Sequence, residues 1–371
     1  MKSRVPAIPQ RLKKTLEAVL AVPTASFFEH RLRDHLEQRF TLLPHCSSKL
    51  DRAGNLHVKY RPRTSGAPAF CLHAHMDHPG FVAKTSGREF VAEGYGGLPR
   101  NCVGAKLRFF SGNDSIGIPA EIVSFHVKAG RQSVNVRASR SVPRESIGMW
   151  NFPPLRERGS WLEGRSFDDT LGAAILTYTI EQAVARKSKT PFDLYFTRAE
   201  EVGYVGLVEA LERGGPRLPK NILTIEMPRA GGELVAGNGV MLRAGDRNIN
   251  FDADLLLFFQ QRAEQLARNT PWFAAQRRLG LFGGTEATVF SLAGFRAGCL
   301  CLPVVNGHNI DLSRDGRPAP ERVHRRDLLS LILMLEDLTQ KPWDIERSRL
   351  VLEKKVRTMA AKWKKEMRGG V

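Results

Sequence analysis

The stretch Pro191–Gly206, PFDLYFTRAEEVGYVG, joins an apolar strand-like run to two adjacent glutamates, Glu200 and Glu201, and then to glycines. Adjacent carboxylates repel each other, and the end of a buried strand is a costly place for unpaired charge. The pair is explained if a metal ion neutralises one carboxylate and the other shares a proton with bound water. This stretch therefore predicts a buried strand with a functional site at its carboxyl end.

Three further apolar runs have the same form, since each ends in polar residues. They are 67–77 (APAFCLHAHMD), 220–228 (KNILTIEMP) and 297–309 (AGCLCLPVVNGHN). Helical patterns lie between or after these runs, at 168–187, 252–269 and 325–341. Alternating strands and helices predict an α/β fold, with a mostly parallel mixed sheet covered by helices. In such sheets, ligands bind at the carboxyl ends of the strands.

The pattern of residue types changes between Gly80 and Glu163. Short β-prone runs are separated there by Gly, Asn-Asp and Pro, with no helical pattern. We expect a small β-barrel-like domain at residues 80–163, inserted into a discontinuous catalytic α/β domain formed by residues 1–79 and 164–371.

The composition limits the classes to which this protein can belong. The 371 residues are 42% hydrophobic, enough for a large core, and no apolar run approaches the ~18 residues of a membrane helix. The N-terminal segment predicts an amphipathic surface helix and not a signal peptide. Five cysteines without zinc-ribbon spacing predict a reducing, cytoplasmic compartment.

The formal net charge of +18 is unusual, and part of it lies in a predicted basic helix from Glu346 onward. A basic soluble surface is the simplest interpretation. Nucleic acid is an unexpected but possible partner, although no recognised nucleic-acid motif accompanies the charge. We expect no membrane partner.

The first run contains HAHMDH, in which His73, His75 and Asp77 share one face of the strand. An Asp two residues after a His can orient the imidazole of a metal ligand. Asp168 and Asp169 precede a long helix, where an acid caps the helix or bridges two cations.

Glu226 and His308 follow two further strands, and each has a structural alternative such as a salt bridge. Together, however, these acids and imidazoles fall at the ends of adjacent strands, which favours a metal site. Nitrogen and oxygen ligands without thiolate suit zinc, cobalt or manganese.

The motifs AHMDHPGF, GRSFDDTLG, TRAEEVGYVG, TIEMP, GGTEA and NGHN occur in the order found in a known family. From about residue 20 to 340, the chain resembles the co-catalytic metallopeptidases of the glutamyl and deblocking aminopeptidase type, whose members form tetrahedral assemblies. The resemblance implies a two-metal exopeptidase acting on short peptides, an aminopeptidase in the first place. It also implies a homo-oligomer assembled through the inserted domain.

The resemblance implies five metal ligands: His75 and Glu226 for one divalent ion, Glu201 and His308 for the other, and Asp168 as the bridge between them. It further implies that Glu200 is the general base that activates a metal-bridging water and that Asp77 supports His75. The peptide bond between Asp168 and Asp169 is expected to be cis.

Glu226 stands where aminopeptidases of this type usually have Asp. In a related family, Glu at this place accompanies carboxypeptidases and N-acyl-amino-acid deacylases, so these remain the alternative enzymes. A non-catalytic protein that binds nucleic acid or a partner through its basic surface is the alternative from another class. Arg198, Arg229 and Arg247 either pair with an acidic substrate group or form structural salt bridges.

Several residues compete with the chosen site or border it. Among the other histidines, His73 should lie deeper than His75, while His324 lies in a charged helical segment. The turn GGTEA, with Glu286, is expected to line the pocket or to start a helix, since no P-loop lysine follows it.

Overall fold

The computed structural model describes residues 4–63, 66, 70–280, 283–364 and 367. The α-helices of this part are α1 (Gln10–Leu20), α2 (His30–Thr41), α3 (Thr170–Ala185), α4 (Val205–Glu212), α5 (Ala253–Asn269), α6 (Glu286–Leu292), α7 (Arg325–Gln340) and α8 (Ile345–Ala361).

The strands are, in chain order, β1 (Cys46–Leu50), β2 (Leu56–Tyr60), β3 (Phe70–His75), β4 (Gly80–Ala83), β5 (Gly87–Tyr95), β6 (Lys106–Phe110), β7 (Ile118–Lys128), β8 (Arg131–Val142), β9 (Ile147–Trp150), β10 (Arg156–Arg158), β11 (Trp161–Gly164), β12 (Phe192–Thr197), β13 (Asn221–Glu226), β14 (Val240–Arg243), β15 (Ala275–Arg278), β16 (Arg296–Cys301), β17 (Val304–Val305), β18 (Ile310–Asp311), β19 (Arg317–Pro318) and β20 (Glu321–His324).

The main sheet has eight strands in the order β1-β2-β12-β3-β13-β16-β14-β15. The four predicted apolar runs form its centre as β12, β3, β13 and β16, and each neighbouring pair of these is parallel. Antiparallel pairs lie outside this centre, at β1–β2, β2–β12 and β14–β16. The predicted α/β fold with a mixed sheet is confirmed. Residues 67–69, which begin the first predicted run, lie outside the described residues.

Both faces of the central strands are covered, which explains their largely apolar character. Every residue of β3 and β12 is buried. Leu72 belongs to the large core that includes α3, whereas its neighbour Cys71 belongs to the core formed with Leu207 of α4 and Phe290 of α6. Polar side chains therefore find no solvent along these strands, and they gather where the strands end.

Strands β4 to β9 close a six-stranded barrel in the order β4-β5-β8-β7-β6-β9. Phe81, Leu107, Val134 and Trp150 are among the residues that fill it. Beyond the barrel, β10 and β11 join a four-stranded sheet with β20 and β17. The boundary of the inserted domain at residue 163 stays a prediction, since the last barrel strand ends at Trp150.

The remaining expectations concern the chain ends and the thiols. The predicted N-terminal helix is α1, and the predicted basic helix near the C-terminus is α8. All five cysteines are free. Among the described residues, no helix has the length and hydropathy that crossing a bilayer requires.

Candidate metal centre

The carboxyl ends of the central strands form a cleft of about 360 Å³. Its wall contains the five predicted metal ligands and Glu200, which are His75, Asp168, Glu200, Glu201, Glu226 and His308. His75 and Glu226 are the last residues of β3 and β13, and Glu200 and Glu201 follow β12. The structure thus brings together side chains that the sequence separates by up to 233 positions (75 to 308).

Asp168 lies between the two histidines of the cleft. Its Oδ1 is 3.7 Å from His75 Nε2, and its Oδ2 is 3.4 Å from His308 Nε2. His308 Nε2 also lies 3.2 Å from Glu201 Oε2. One carboxylate therefore turns one oxygen toward each histidine, which is the arrangement that a bridging ligand needs.

Two groups of donors could each hold a cation, His75 with Asp168 and Glu201, and His75 with Glu200 and Glu226. The ligand atoms within each group lie within 4.8 Å of one another. Among the described residues, the buried oxygens Asp168 Oδ1, Glu201 Oε1 and Glu226 Oε1 have no hydrogen-bond partner. Buried carboxylate oxygens without a partner are costly, and divalent cations would satisfy them. The donor set therefore fits a metal centre.

The pKa shifts show the same accumulation of negative charge. Burial, reinforced by neighbouring carboxylates, raises the pKa values of Glu200 and Glu201 well above the ordinary range and that of Glu226 to about 8. Burial alone would lower the pKa of His75, but the charge of Glu200 and the contacts with Asp168 and Asp77 outweigh it and raise this pKa. Only protons or cations can make so dense a group of acids stable in a buried place.

Asp77 lies behind the cleft and holds several parts of it. Its Oδ1 and Oδ2 accept hydrogen bonds from the backbone N–H groups of Glu200 (3.0 Å) and Glu201 (3.2 Å). Ser26 Oγ donates to Asp77 Oδ2 at 2.7 Å. His75 Nδ1 lies 3.1 Å from the Asp77 carbonyl oxygen and 3.4 Å from its Oδ1. Asp77 thus contacts the His75 imidazole, and it also fixes the turn that carries both glutamates.

Glu321, at the start of β20, was not singled out from the sequence. Its Oε1 accepts a hydrogen bond from His308 N at 2.7 Å, and its Oε2 accepts from the backbone N–H groups of Phe167 and Asp168. The side chain is fully buried. Glu321 therefore ties the turn before α3 to the loop that carries His308.

The backbone around these ligands has special conformations. The peptide bond between Asp168 and Asp169 is cis, as the resemblance implied. His308 has φ 58°, and Asn306 and Asn309 on either side have φ 60°. Left-handed backbone is unfavourable for a residue with a Cβ, so tertiary contacts must hold this loop.

The barrel also borders the site. A Cβ atom built on Gly97, in the segment after β5, would lie 2.6 Å from His308 Nδ1. Only a residue without a side chain fits there unless the imidazole moves.

The competing histidines have other partners. His73 is buried deeper, as expected, with Nε2 3.0 Å from Glu286 Oε2. His78 Nδ1 contacts the carbonyl oxygen of Asp168, and its Nε2 lies 3.0 Å from Asn309 Oδ1. The expectation that His324 lies in a helical segment is wrong, because it is the last residue of β20 and its Nδ1 caps α7 by accepting a hydrogen bond from Arg326 N.

The glycine-rich turn takes both of its expected positions. Gly283 and Gly284 line the cleft, and Thr285 caps helix α6, which begins at Glu286.

The three arginines singled out from the sequence differ in whether they form a structural salt bridge or border the cleft, where a substrate group could pair with them. Arg198 Nε donates to Glu29 Oε2 at 2.7 Å, which is a structural ion pair. Arg229 lines the cleft while donating to the carbonyl oxygens of Gly307 (2.8 Å) and Ile310 (2.9 Å). Arg243, not singled out from the sequence, lines the cleft as well, whereas Arg247 is not part of its wall.

Comparisons with known proteins agree with this picture. Residues 142–314 match the family model for M42 glutamyl aminopeptidase, a segment that contains five of the six cleft acids and imidazoles and leaves out His75. No protein with curated annotation matches the chain in sequence. The family match confirms the resemblance to the glutamyl aminopeptidases.

Solved structures confirm the fold. The TET1 peptidase of Pyrococcus horikoshii is 20% identical, with a TM-score of 0.71 over 89% of this chain and 100% of that one. A TET aminopeptidase from a marine sediment thaumarchaeon is 17% identical, with a TM-score of 0.71 over 91% and 99%. An aminopeptidase from Desulfurococcus kamchatkensis is 18% identical, with a TM-score of 0.71 over 90% and 95%.

Proposed function

We propose that this chain, which carries the M42 glutamyl aminopeptidase segment at residues 142–314, is a two-metal aminopeptidase that hydrolyses short peptides. The observation that carries the proposal is the position of Asp168, with one carboxylate oxygen toward His75 and the other toward His308. Such an arrangement would let one carboxylate contribute an oxygen to each of two ions. Zinc is the first candidate metal, and cobalt or manganese would accept the same ligands.

We assign one ion to His75 and Glu226, the other to Glu201 and His308, and the bridging position to Asp168. Two contacts support this division, since Glu226 shares a donor group with His75 and Glu201 Oε2 lies 3.2 Å from His308 Nε2. Two divalent ions supply Lewis-acid charge, which acidifies water and polarises a peptide carbonyl.

Glu200 is the proposed general base. It lines the cleft with Oε2 3.9 Å from His75 Nε2. Burial raises its pKa, so the carboxylate binds a proton more readily than an exposed glutamate does. It takes a proton from the attacking water and delivers it to the nitrogen of the departing amine. Asp77 is a positioning residue, because its contacts are with His75 and with the backbone of the two glutamates.

The polarity of cleavage depends on how the substrate ends are recognised. An aminopeptidase requires a free N-terminal amine beside acidic groups, and the cleft wall is rich in them. Glu226 in place of the usual Asp keeps a carboxypeptidase or N-acyl-amino-acid deacylase as the second candidate, since both use the same metal ligands.

The test is hydrolysis of matched free and N-acetylated di- and tripeptides by protein reconstituted with zinc, cobalt or manganese. Cleavage of the free peptides alone, lost in Glu200→Gln, is the expected result. Cleavage of the blocked peptides would move the assignment to a carboxypeptidase or deacylase. The absence of metal-dependent turnover on both panels would favour a non-catalytic protein that binds through its basic surface.

We further propose a cytoplasmic homo-oligomer that assembles through the predicted inserted domain, residues 80–163. Two of the structural neighbours are described as a dodecamer and as a peptidase that assembles into a tetrahedron or a large octahedral shell. On the barrel, Val91, Val123 and Val127 are 39–51% exposed, which is apolar surface available for such contacts. The free state of all five cysteines agrees with a reducing compartment.

A further inference from the structure

Helix α8 carries an apolar stripe that the described part of the chain leaves uncovered. Its first turns are anchored, because Ile345 and Ser348 are buried and Gln261 of α5 donates to the Ser348 carbonyl oxygen at 2.9 Å. Every described residue after Ser348 is exposed. At 1.5 Å per residue, the helix therefore extends about 20 Å beyond its anchor.

Five of the seven exposed large apolar residues in this segment follow the helical period, and the other two, Leu350 and Val351 (62% and 52% exposed), lie outside that row. Leu352, Val356, Met359, Trp363 and Met367 are separated by steps of four, three, four and four residues, which places them on one side of a helix. Their side chains are 41%, 56%, 60%, 67% and 81% exposed, in that order. Met367 lies beyond the end of α8, and its N–H donates to the carbonyl oxygen of Trp363.

Positive charge borders this stripe. Residues 345–364 contain seven Lys or Arg and two Glu, a net charge of +5 within a chain of +18. At 100° per residue, Lys355 and Lys362 lie on one side of the stripe, and Arg357 and Lys364 lie on the other. The helix thus combines one apolar face with cationic residues along both of its edges.

These features decide between possible occupants. A second copy of α8 would bring two helices of charge +5 together, which like-charge repulsion opposes. Nucleic acid would pair with the cations and leave the apolar residues in water. An anionic lipid surface meets both needs, because the apolar face enters the acyl boundary while the cations remain at the headgroups. No shape complementarity is required of such a partner.

We propose that α8 and the turn that follows it bind the surface of an anionic lipid bilayer and hold the enzyme there peripherally. This departs from the expectation of no membrane partner, because the sequence alone did not show that the apolar face remains uncovered. The cleft lies on other elements, so lipid binding and peptide hydrolysis are separable.

The experiment is flotation of the full-length, metal-loaded protein with lipid vesicles. Wild type is expected to float with vesicles containing about 30% phosphatidylglycerol and to remain behind with pure phosphatidylcholine. Met359→Gln combined with Trp363→Gln should lower partitioning at least about tenfold, since both side chains lose apolar burial. Lys362→Gln combined with Lys364→Gln should lower it about 25-fold, from roughly fivefold for each cation near the surface.

Matched controls separate the helix from general surface effects. Leu42→Gln with Ile116→Gln removes two apolar residues that are 84% and 75% exposed elsewhere, and Lys128→Gln with Lys189→Gln removes two exposed cations outside α8. Both control pairs should float like wild type, and all variants should hydrolyse soluble peptides at the wild-type rate.

Three results would overturn the proposal. One is failure of wild type to float with anionic vesicles, and another is an equal loss in the control pairs. The third is a smaller assembly of the Met359→Gln/Trp363→Gln variant in sedimentation velocity without lipid, which would identify the occupant as a second copy. Trp363 fluorescence gives an independent measurement, since a blue shift on vesicle addition should vanish in Trp363→Gln.

Discussion

The substitution Glu321→Gln tests whether metal affinity depends on a residue that touches no metal ligand side chain. Glu321 accepts backbone hydrogen bonds from His308 through Oε1 and from Phe167 and Asp168 through Oε2. Glutamine keeps the size of the side chain but replaces one acceptor oxygen by an NH₂ donor. Whichever way the amide turns, it faces at least one backbone N–H that no longer has an acceptor.

The magnitude follows from that lost acceptor. A buried donor without a partner costs about 1–3 kcal/mol, and the bond to a carboxylate lies at the upper end. Part of this cost appears as movement of the His308 loop, whose left-handed backbone needs support. Loss of a contact that orients a ligand typically lowers metal affinity about 10–100-fold. We expect a decrease in this range and a lower kcat at saturating metal.

The assay is competition for zinc between the metal-free protein and a chromophoric chelator, with urea unfolding of the same samples. Asp327→Asn is the matched control, because Asp327 is also buried and accepts backbone hydrogen bonds from Gly237 (2.7 Å) and Gly239 (2.6 Å). It should lose stability without losing metal affinity. Wild-type zinc affinity in Glu321→Gln, or an equal loss of affinity in Asp327→Asn, would refute the reasoning.

Three further predictions concern the same region. Glu200→Gln should bind zinc within about threefold of wild type by the chelator assay while kcat falls about 10²–10⁴-fold, and a parallel loss of zinc would make Glu200 a ligand instead. The pKa of Glu226 is raised to about 8 in the folded, metal-free protein, so its stabilising effect is present at low pH and is lost as pH rises through 8. The free energy of unfolding of the metal-free protein, obtained from thermal unfolding, should therefore fall by on the order of a few kcal/mol between pH 6 and 9. Zinc affinity should rise over the same range. Glu226→Gln should make the fall in the free energy of unfolding smaller. Arg198→Ala leaves the fully buried Glu29 without its ion pair and should cost about 3–5 kcal/mol in urea unfolding, whereas a cost below about 1 kcal/mol would show that the pair behaves like a surface contact.

The central sheet could be predicted because each of its strands has a recognisable local sequence pattern. Largely apolar runs such as FCLHAH and FDLYFT favour burial on both faces, and their polar ends place side chains at one edge of a parallel sheet. Strand alternation also separated His75 from Met76 and gave the correct depth for His73. Short-range periodicity is therefore sufficient for the location of the site.

Long-range contacts account for what the sequence did not reveal. Glu321 lies on a four-residue strand, and its role depends on the direction of backbone N–H groups about 150 residues earlier in the chain. Arg198 had two interpretations until the structure placed Glu29 beside it. The position of residues 161–164 is a similar case, because their pairing with β20 is formed across more than 150 residues. Local patterns contain no information about such partners.

The position of Gly97 against the His308 imidazole ties the barrel domain to the candidate metal centre, in addition to its proposed role in assembly. A foreign barrel grafted between β3 and α3 would restore the chain connection but would bring its own side chains against the imidazole. Removal of the barrel domain would expose the His308 imidazole on the side where Gly97 now lies. The two parts of the molecule are therefore matched to each other, and an exchanged barrel leaves the His308 imidazole in its present position only where the residue facing it is glycine.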